Sequence, residues 1–186
     1  ETKKNIVIPI GDIAGVGPEI VVKALNHLEV YDWCNPIVVG ERTALERALT
    51  VTGLPLALEE IRDARTQEYG HGRIAFYDLK NVDASQIEFG KVQAKAGRAA
   101  YEFIVKAVEL MKEGQADAIA TSTINKEALK AAQVPYIGHT EMIGALLATP
   151  DPMTMFQVRN LKLFFLSRHL SLMDAIAAVT RENVYG

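Results

Sequence analysis

Cysteine is nearly absent from this chain: Cys34 stands alone among 186 residues. No intrachain disulfide and no all-cysteine zinc site can form, so the expected compartment is a reducing cytoplasm. Long apolar runs are missing too. With no stretch of about 18 apolar residues, a transmembrane helix is excluded and no membrane partner is expected. The apolar residues 6–10 that follow Lys3 and Lys4 are too few for a signal peptide and fit a buried strand. Charge of one sign is not in excess: 20 Lys and Arg face 23 Asp and Glu, for a formal net charge of −3. Binding to a phosphate backbone needs clustered basic residues, so no nucleic-acid partner is expected. Internal repeats, low-complexity segments and Gly/Ser linkers are also lacking.

What is present is ordinary globular material. Apolar residues make up 49% and charged residues 23%, enough apolar surface to offset the ordering entropy and exclude disorder. Residues 6–10 read as a first strand that runs into the glycine-rich stretch 11–19. Pro18 suits a helix first turn, because its missing N–H is not needed there. Ile20, Val21, Ala24, Leu25 and Leu28 give that helix an apolar stripe. Residues 36–40 and 73–79 read as strands, with a helix over 41–52 stopped by Gly53. The strongest helical period covers 92–112 and is closed by Gly114. A strand over 116–120 then leads into a capped helix over 126–133 and a further helix over 140–148. Residues 153–158 and 161–166 read as strands, and 171–179 as a helix. The 161–166 run is apolar enough to be expected in the core. Apolar strands alternating with helices indicate an α/β fold, a three-layer α/β/α arrangement around a mostly parallel sheet.

In such folds ligands bind beyond the carboxyl ends of strands, so the exit loops are the candidate sites. Gly11, Asp12, Gly15 and Gly17 lie in one of them. The spacing is neither a phosphate-binding P-loop nor a dinucleotide fingerprint. It is either a tight strand-to-helix turn or a loop that lets backbone approach a ligand. Residues 121–126 offer three hydroxyls, the amide of Asn125 and the ammonium of Lys126. That composition suits a phosphate or carboxylate, or an ordinary capped turn. His139 and Thr140 precede an apolar helical run; a helix start disfavours the imidazolium, leaving a neutral ring for hydrogen bonding. Thr140 could instead be the helix cap. His169 follows the 161–166 run and is a candidate metal ligand or a satisfied strand-end histidine. No single residue stands out as the catalytic acid or base.

These loops, in this order, resemble one known family. Residues Gly11-Asp12-Ile13-Ala14-Gly15-Val16-Gly17-Pro18-Glu19 are similar to its Gly-Asp-Pro-Ala-Gly-Ile-Gly-Pro-Glu, with Ile13 in place of proline. Asn125-Lys126-Glu127-Ala128-Leu129, Val134-Pro135-Tyr136 and Gly138-His139-Thr140-Glu141 follow in the family's sequence. Arg168-His169-Leu170-Ser171-Leu172 looks like its Thr-His-Leu-Pro-Leu. The family is that of 4-hydroxythreonine-4-phosphate dehydrogenase, of the isocitrate/isopropylmalate dehydrogenase-like fold.

The resemblance implies an NAD-dependent oxidation of a phosphorylated hydroxy acid. It also implies loss of CO₂ from the resulting 3-keto acid, and a divalent metal (Zn, Mg, Mn or Co) that polarises the reacting oxygen. By the same resemblance, His139 and Thr140 hold the substrate, with Asn125 and Lys126 near its anionic groups. His169 is one of three metal-binding histidines, and the Gly11, Asp12, Gly15 and Gly17 loop serves the cofactor. The segment around Phe164 resembles the branch that uses 4-phospho-D-threonate or 4-phospho-D-erythronate and yields dihydroxyacetone phosphate. The other branch feeds pyridoxal phosphate. The family implies a homodimer. No histidine follows position 169, so the chain reads as an N-terminal part, with a first domain over 1–123 and the start of a second over 124–186. A phosphate acyltransferase of related fold and an inactive dimerising fragment are the rival readings.

Overall fold

The structure, a computed structural model, describes residues 3–149, 152–167 and 170–185. It contains two compact units, residues 1–147 and 148–186.

The first unit is built on five parallel strands: β1 (Lys4–Pro9), β2 (Cys34–Gly40), β3 (Ala57–Glu60), β4 (Arg73–Asp78) and β5 (Ala118–Ile119). Their order in the sheet is β3-β4-β2-β1-β5. Between them run α1 (Gly17–Leu25), α2 (Leu28–Trp33), α3 (Arg42–Thr52) and α4 (Ala94–Lys112). The expected mostly parallel α/β architecture is thus present. Its layering follows from handedness. The chain steps outward from β1 through β2 to β4, then returns past both to β5. Parallel crossovers are right-handed, so the outward and returning helices cover opposite faces. That accounts for Val7, Val38 and Phe76 being fully buried inside their strands. It also explains why β1 and β2 read as near-continuous apolar runs.

Several local readings hold. Gly53 ends α3 in the left-handed region at φ 66°, where glycine carries no steric penalty. Along α4, Ala96, Ala99, Ala100, Phe103, Ile104, Ala107 and Val108 are buried at the expected three- and four-residue spacing. The first helix departs from expectation. Its buried positions are Gly17, Pro18, Val21, Val22 and Leu25; Ile20 and Ala24 are exposed, and Leu28 begins α2 rather than extending the stripe. Strand β3, on the sheet edge, carries little apolar periodicity and escaped the sequence reading, as did the short α2.

Residues 124–147, expected at the start of a second domain, lie here in the first unit. They hold α5 (Lys126–Ala131) and α6 (His139–Leu146). A small core of Ile104 from α4, Leu129, Ala132, Val134 and Met142 joins both helices to α4. The approach of α5 to α4 depends on Gly97: a Cβ there would stand 2.1 Å from the Ala128 carbonyl oxygen.

The second unit comprises β6 (Thr154–Val158), β7 (Leu161–Phe165), α7 (Leu172–Ala177) and α8 (Arg181–Tyr185). β6 and β7 pair antiparallel as an isolated hairpin. The apolar 161–166 run is therefore not a buried central strand. Every residue of β7 is exposed, Phe164 to 60%, and α7 and α8 bury none of their residues. An apolar run reports that a segment needs covering, and the described residues of this unit do not provide the cover.

Candidate functional site

Strand β1 leads to α1 on one face of the sheet, while β5, its neighbour, leads to α5. The strand order reverses between them. In open parallel sheets this reversal opens a crevice at the carboxyl ends, where ligands bind. The two loops at this point fall in the glycine-rich stretch 11–19 and the hydroxyl-rich stretch 121–126 identified from the sequence.

The two loops are tied together. The Asp12 amide donates to the Thr123 carbonyl at 2.8 Å, and the Ser122 hydroxyl donates to the Gly17 carbonyl at 3.2 Å. Gly11 sits at φ 75°, and a Cβ on it would lie 2.1 Å from the Thr123 oxygen; one on Gly17 would lie 2.3 Å from the Ile10 oxygen. At both positions the missing side chain admits the chain's own carbonyl groups. Gly15 differs. A Cβ there meets only ordinary contacts, from 3.6 Å outward, and the residue borders a cavity of about 340 Å³ with Pro18, Arg47 and Phe89. Asp12 is buried, its carboxylate accepts from the Ala14 amide at 2.9 Å, and burial raises its pKa above the usual carboxylate value.

Arg47 and Gly90 were not legible as functional positions, yet both pin this loop. The Arg47 guanidinium, on α3, donates to the carbonyls of Ile13 and Ala84 and lies over the Phe89 ring, 5.3 Å from its centroid. The Gly90 amide donates to the Ala14 carbonyl at 2.7 Å. Nothing in the local sequence marks a helical arginine as reaching across to another loop.

Asn125 caps α5. Its side-chain oxygen accepts from the amides of Glu127 and Ala128, at 2.9 and 3.0 Å, leaving the amide nitrogen without a protein partner among the described residues. Lys126 follows at the first helical position, exposed, on the wall of a cavity of about 530 Å³ that also includes Lys130 and Tyr136. Lys130 was not singled out from the sequence, although its spacing from Lys126 is one helical turn.

Helix α6 begins one residue earlier than expected. Gly138 is its N-cap, without a side-chain cap bond, and His139 and Thr140 occupy the first two positions. Thr140 is therefore not the cap. His139 is half-buried, and desolvation lowers its pKa from the ordinary imidazole value. At neutral pH the ring is uncharged, available as one donor and one acceptor. Met142, buried in the cluster with Ile104 and Leu129, holds this helix start in the same small core that holds α5.

His169 lies outside the described residues. Among those residues, no three His, Cys, Asp or Glu side chains are grouped to hold a metal ion. They do not make a metal site by themselves, since catalytic sites take three protein ligands. No helix among them is long and apolar enough to cross a membrane.

Comparison with known proteins decides the family. Residues 32–186 match the model of pyridoxal phosphate biosynthetic protein PdxA. The chain belongs to the PdxA family. A Clostridium botulinum protein provisionally named D-threonate 4-phosphate dehydrogenase is 50% identical over 182 residues, 98% of this chain and 54% of that protein. A 4-hydroxythreonine-4-phosphate dehydrogenase from Burkholderia phymatum superposes with a TM-score of 0.92 at 38% identity, over 99% of this chain and 56% of that one. The enzyme of that name from Klebsiella pneumoniae gives 0.87 at 32%, over 98% and 55%. This PdxA-family chain spans about half the length of the relatives it matches.

Proposed function

We propose that this chain supplies an N-terminal portion of an NAD-dependent dehydrogenase acting on a 4-phosphorylated hydroxy acid, with 4-phospho-D-threonate favoured as substrate. The observation that carries this reading is the 50% identity to a relative named for D-threonate 4-phosphate, over 98% of the chain. Identity to the solved enzymes named for 4-hydroxythreonine 4-phosphate is lower, at 38% and 32%.

In the reaction, the secondary alcohol carbon loses a hydride and its hydroxyl a proton, forming a 3-keto acid. The bond to the carboxylate then breaks, releasing CO₂ and, after protonation of the enolate, dihydroxyacetone phosphate. NAD supplies the hydride acceptor when bound. Among the described residues no three side chains are grouped to hold a divalent metal; His169 and residues beyond this chain are the proposed ligands, and a metal held there would polarise the reacting oxygen.

The chain's own groups act on the substrate. Lys126 places a charge beside the reversal point of the sheet, where it meets an anionic group of the substrate. The Asn125 amide nitrogen, left over from capping, donates to the same end. His139, neutral because it is desolvated, binds a substrate oxygen without adding a competing charge, and Thr140 adds a hydroxyl. The loop 11–17 keeps this end of the sheet rigid and stands on the cofactor side of the crevice, with Gly15 open to it. The proposed working form is a cytoplasmic homodimer. Residues from outside this chain then cover the apolar face of β6 and β7.

The test is NADH formation by the complete protein supplied with NAD, a divalent metal and 4-phospho-D-threonate. NADH is expected from the phosphorylated acid and not from D-threonate. Absence of NADH from 4-phospho-D-threonate, 4-phospho-D-erythronate and 4-phosphooxythreonine alike overturns the reading.

A further inference from the structure

A third cavity, of about 580 Å³, is walled by residues 81–83 and 86, the start of α4 and the end of α5, and meets the Lys126 cavity at Gln133. That volume is in the range of small-molecule sites. Its polar lining is formed by Asn81, Asp83, Gln86, Lys95, Arg98 and Gln133. Lys95 and Arg98 stand three residues apart on α4, so both cations point from one face of the helix.

Neither cation is neutralised. Lys91, just before α4, pairs with Glu88, and Lys106 on it pairs with Glu109 at 3.4 Å. Lys95 and Arg98 make no ion pair among the described residues. The nearby acids are turned to other partners. Asp83 accepts from the Ser85 amide at 2.9 Å and from the Gln86 side chain at 3.3 Å, and hydrogen bonds from the Ser85 side chain and amide hold its carboxyl below the usual range. Glu102 accepts from the Asn81 amide nitrogen at 2.7 Å. The Arg98 guanidinium is held over the Tyr101 ring, 5.9 Å from its centroid, and Tyr101 in turn stacks on Tyr136. An arginine steadied by an aromatic ring, beside an unpaired ammonium in a pocket, matches the charge and fork geometry of a phosphate group. The cavity is much larger than a phosphate ion, so the remaining space fits the carbon skeleton of an ester.

We propose that this cavity binds a phosphate monoester, with Lys95 and Arg98 on the phosphate, as a site separate from Lys126 and His139. Two sources share that chemistry, the hydroxy-acid phosphate proposed above as substrate and an unrelated sugar phosphate.

The experiment is a titration of the full chain with inorganic phosphate, followed by amide chemical shifts. Residues 81–86 and 94–98 are expected to shift. The double variant Lys95→Gln/Arg98→Gln is expected to weaken binding by about tenfold or more, the loss of two charge-assisted contacts, while Lys112→Gln, at the other end of α4, leaves it within about twofold. Parallel titrations with 4-phospho-D-threonate and glucose 6-phosphate identify the source, whichever binds more tightly at these residues, and D-threonate is expected to leave them unshifted. Shifts confined to 121–127, equal shifts with D-threonate, or unchanged affinity in the double variant overturn the proposal. If the double variant fails to fold, Arg98→Lys serves instead; it keeps the charge and loses the fork, and unchanged affinity there also counts against the site.

Discussion

The amide of Asp12 donates to the carbonyl of Thr123 across 2.8 Å, joining the loop after β1 to the loop after β5. These residues are over one hundred positions apart, yet their contact fixes the point where the strand order reverses. Gly11 makes it possible, because only a residue without a Cβ fits beside the Thr123 oxygen.

Gly11→Ala is expected to destabilise the chain by about 2–4 kcal/mol, combining left-handed backbone strain with a steric clash. Gly15→Ala is expected to stay within about 0.5 kcal/mol, since its Cβ has room. Urea unfolding of both variants checks the contrast; equal losses would show that the loops are not held together in this way.

Gly97→Ala opposes two effects. Alanine favours a helix interior over glycine by about 1 kcal/mol, but the new methyl would collide with the Ala128 carbonyl. The clash should win, giving a net loss of about 1–3 kcal/mol as α5 is pushed from α4. A rise in thermal midpoint would mean that α5 does not sit this close.

His139 links stability to pH. Burial lowers its pKa in the folded state below the ordinary value of 6.5, so the unfolded chain takes up the proton first. Its contribution is fully present above about pH 6.5 and is lost as pH falls through the folded pKa. Wild type should therefore lose more stability than His139→Gln between about pH 7 and pH 5. Parallel denaturation curves at several pH values measure this. Identical pH slopes would place the ring in solvent.

The hairpin of β6 and β7 should bind an apolar dye. Phe156, Leu163 and Phe165 are exposed on one face, Phe156 lying opposite Leu163 and against the Phe165 ring, and a patch of that kind is adhesive in water. Phe156→Lys/Phe165→Lys is expected to lower dye fluorescence of the chain with little change in its unfolding. Unaltered fluorescence would show that the face is already covered.

Much of this organisation was legible in the sequence because it is local. Gly53 and Asn125 set helix boundaries through backbone conformation and capping, and the alanine-rich face of α4 reveals itself by spacing. The site loops were legible through their order and residue types. The tie between Asp12 and Thr123 and the reach of Arg47 were not, because each depends on side-by-side strands far apart in the chain. The 161–166 run misled for a related reason: hydrophobicity states a need for burial without stating which residues meet it. Thr140 likewise could have capped α6, but the chain enters through the extended Gly138 and leaves its hydroxyl free of that role.

The most direct test of the whole account is kcat/KM of the complete protein for 4-phospho-D-threonate, with and without His139→Ala. Loss of one preorganised substrate contact predicts a fall of about 30- to 1,000-fold, or about 2–4 kcal/mol of transition-state stabilisation. A value within about twofold of wild type, in a variant that remains folded, would remove His139 from the substrate and contradict the site proposed here.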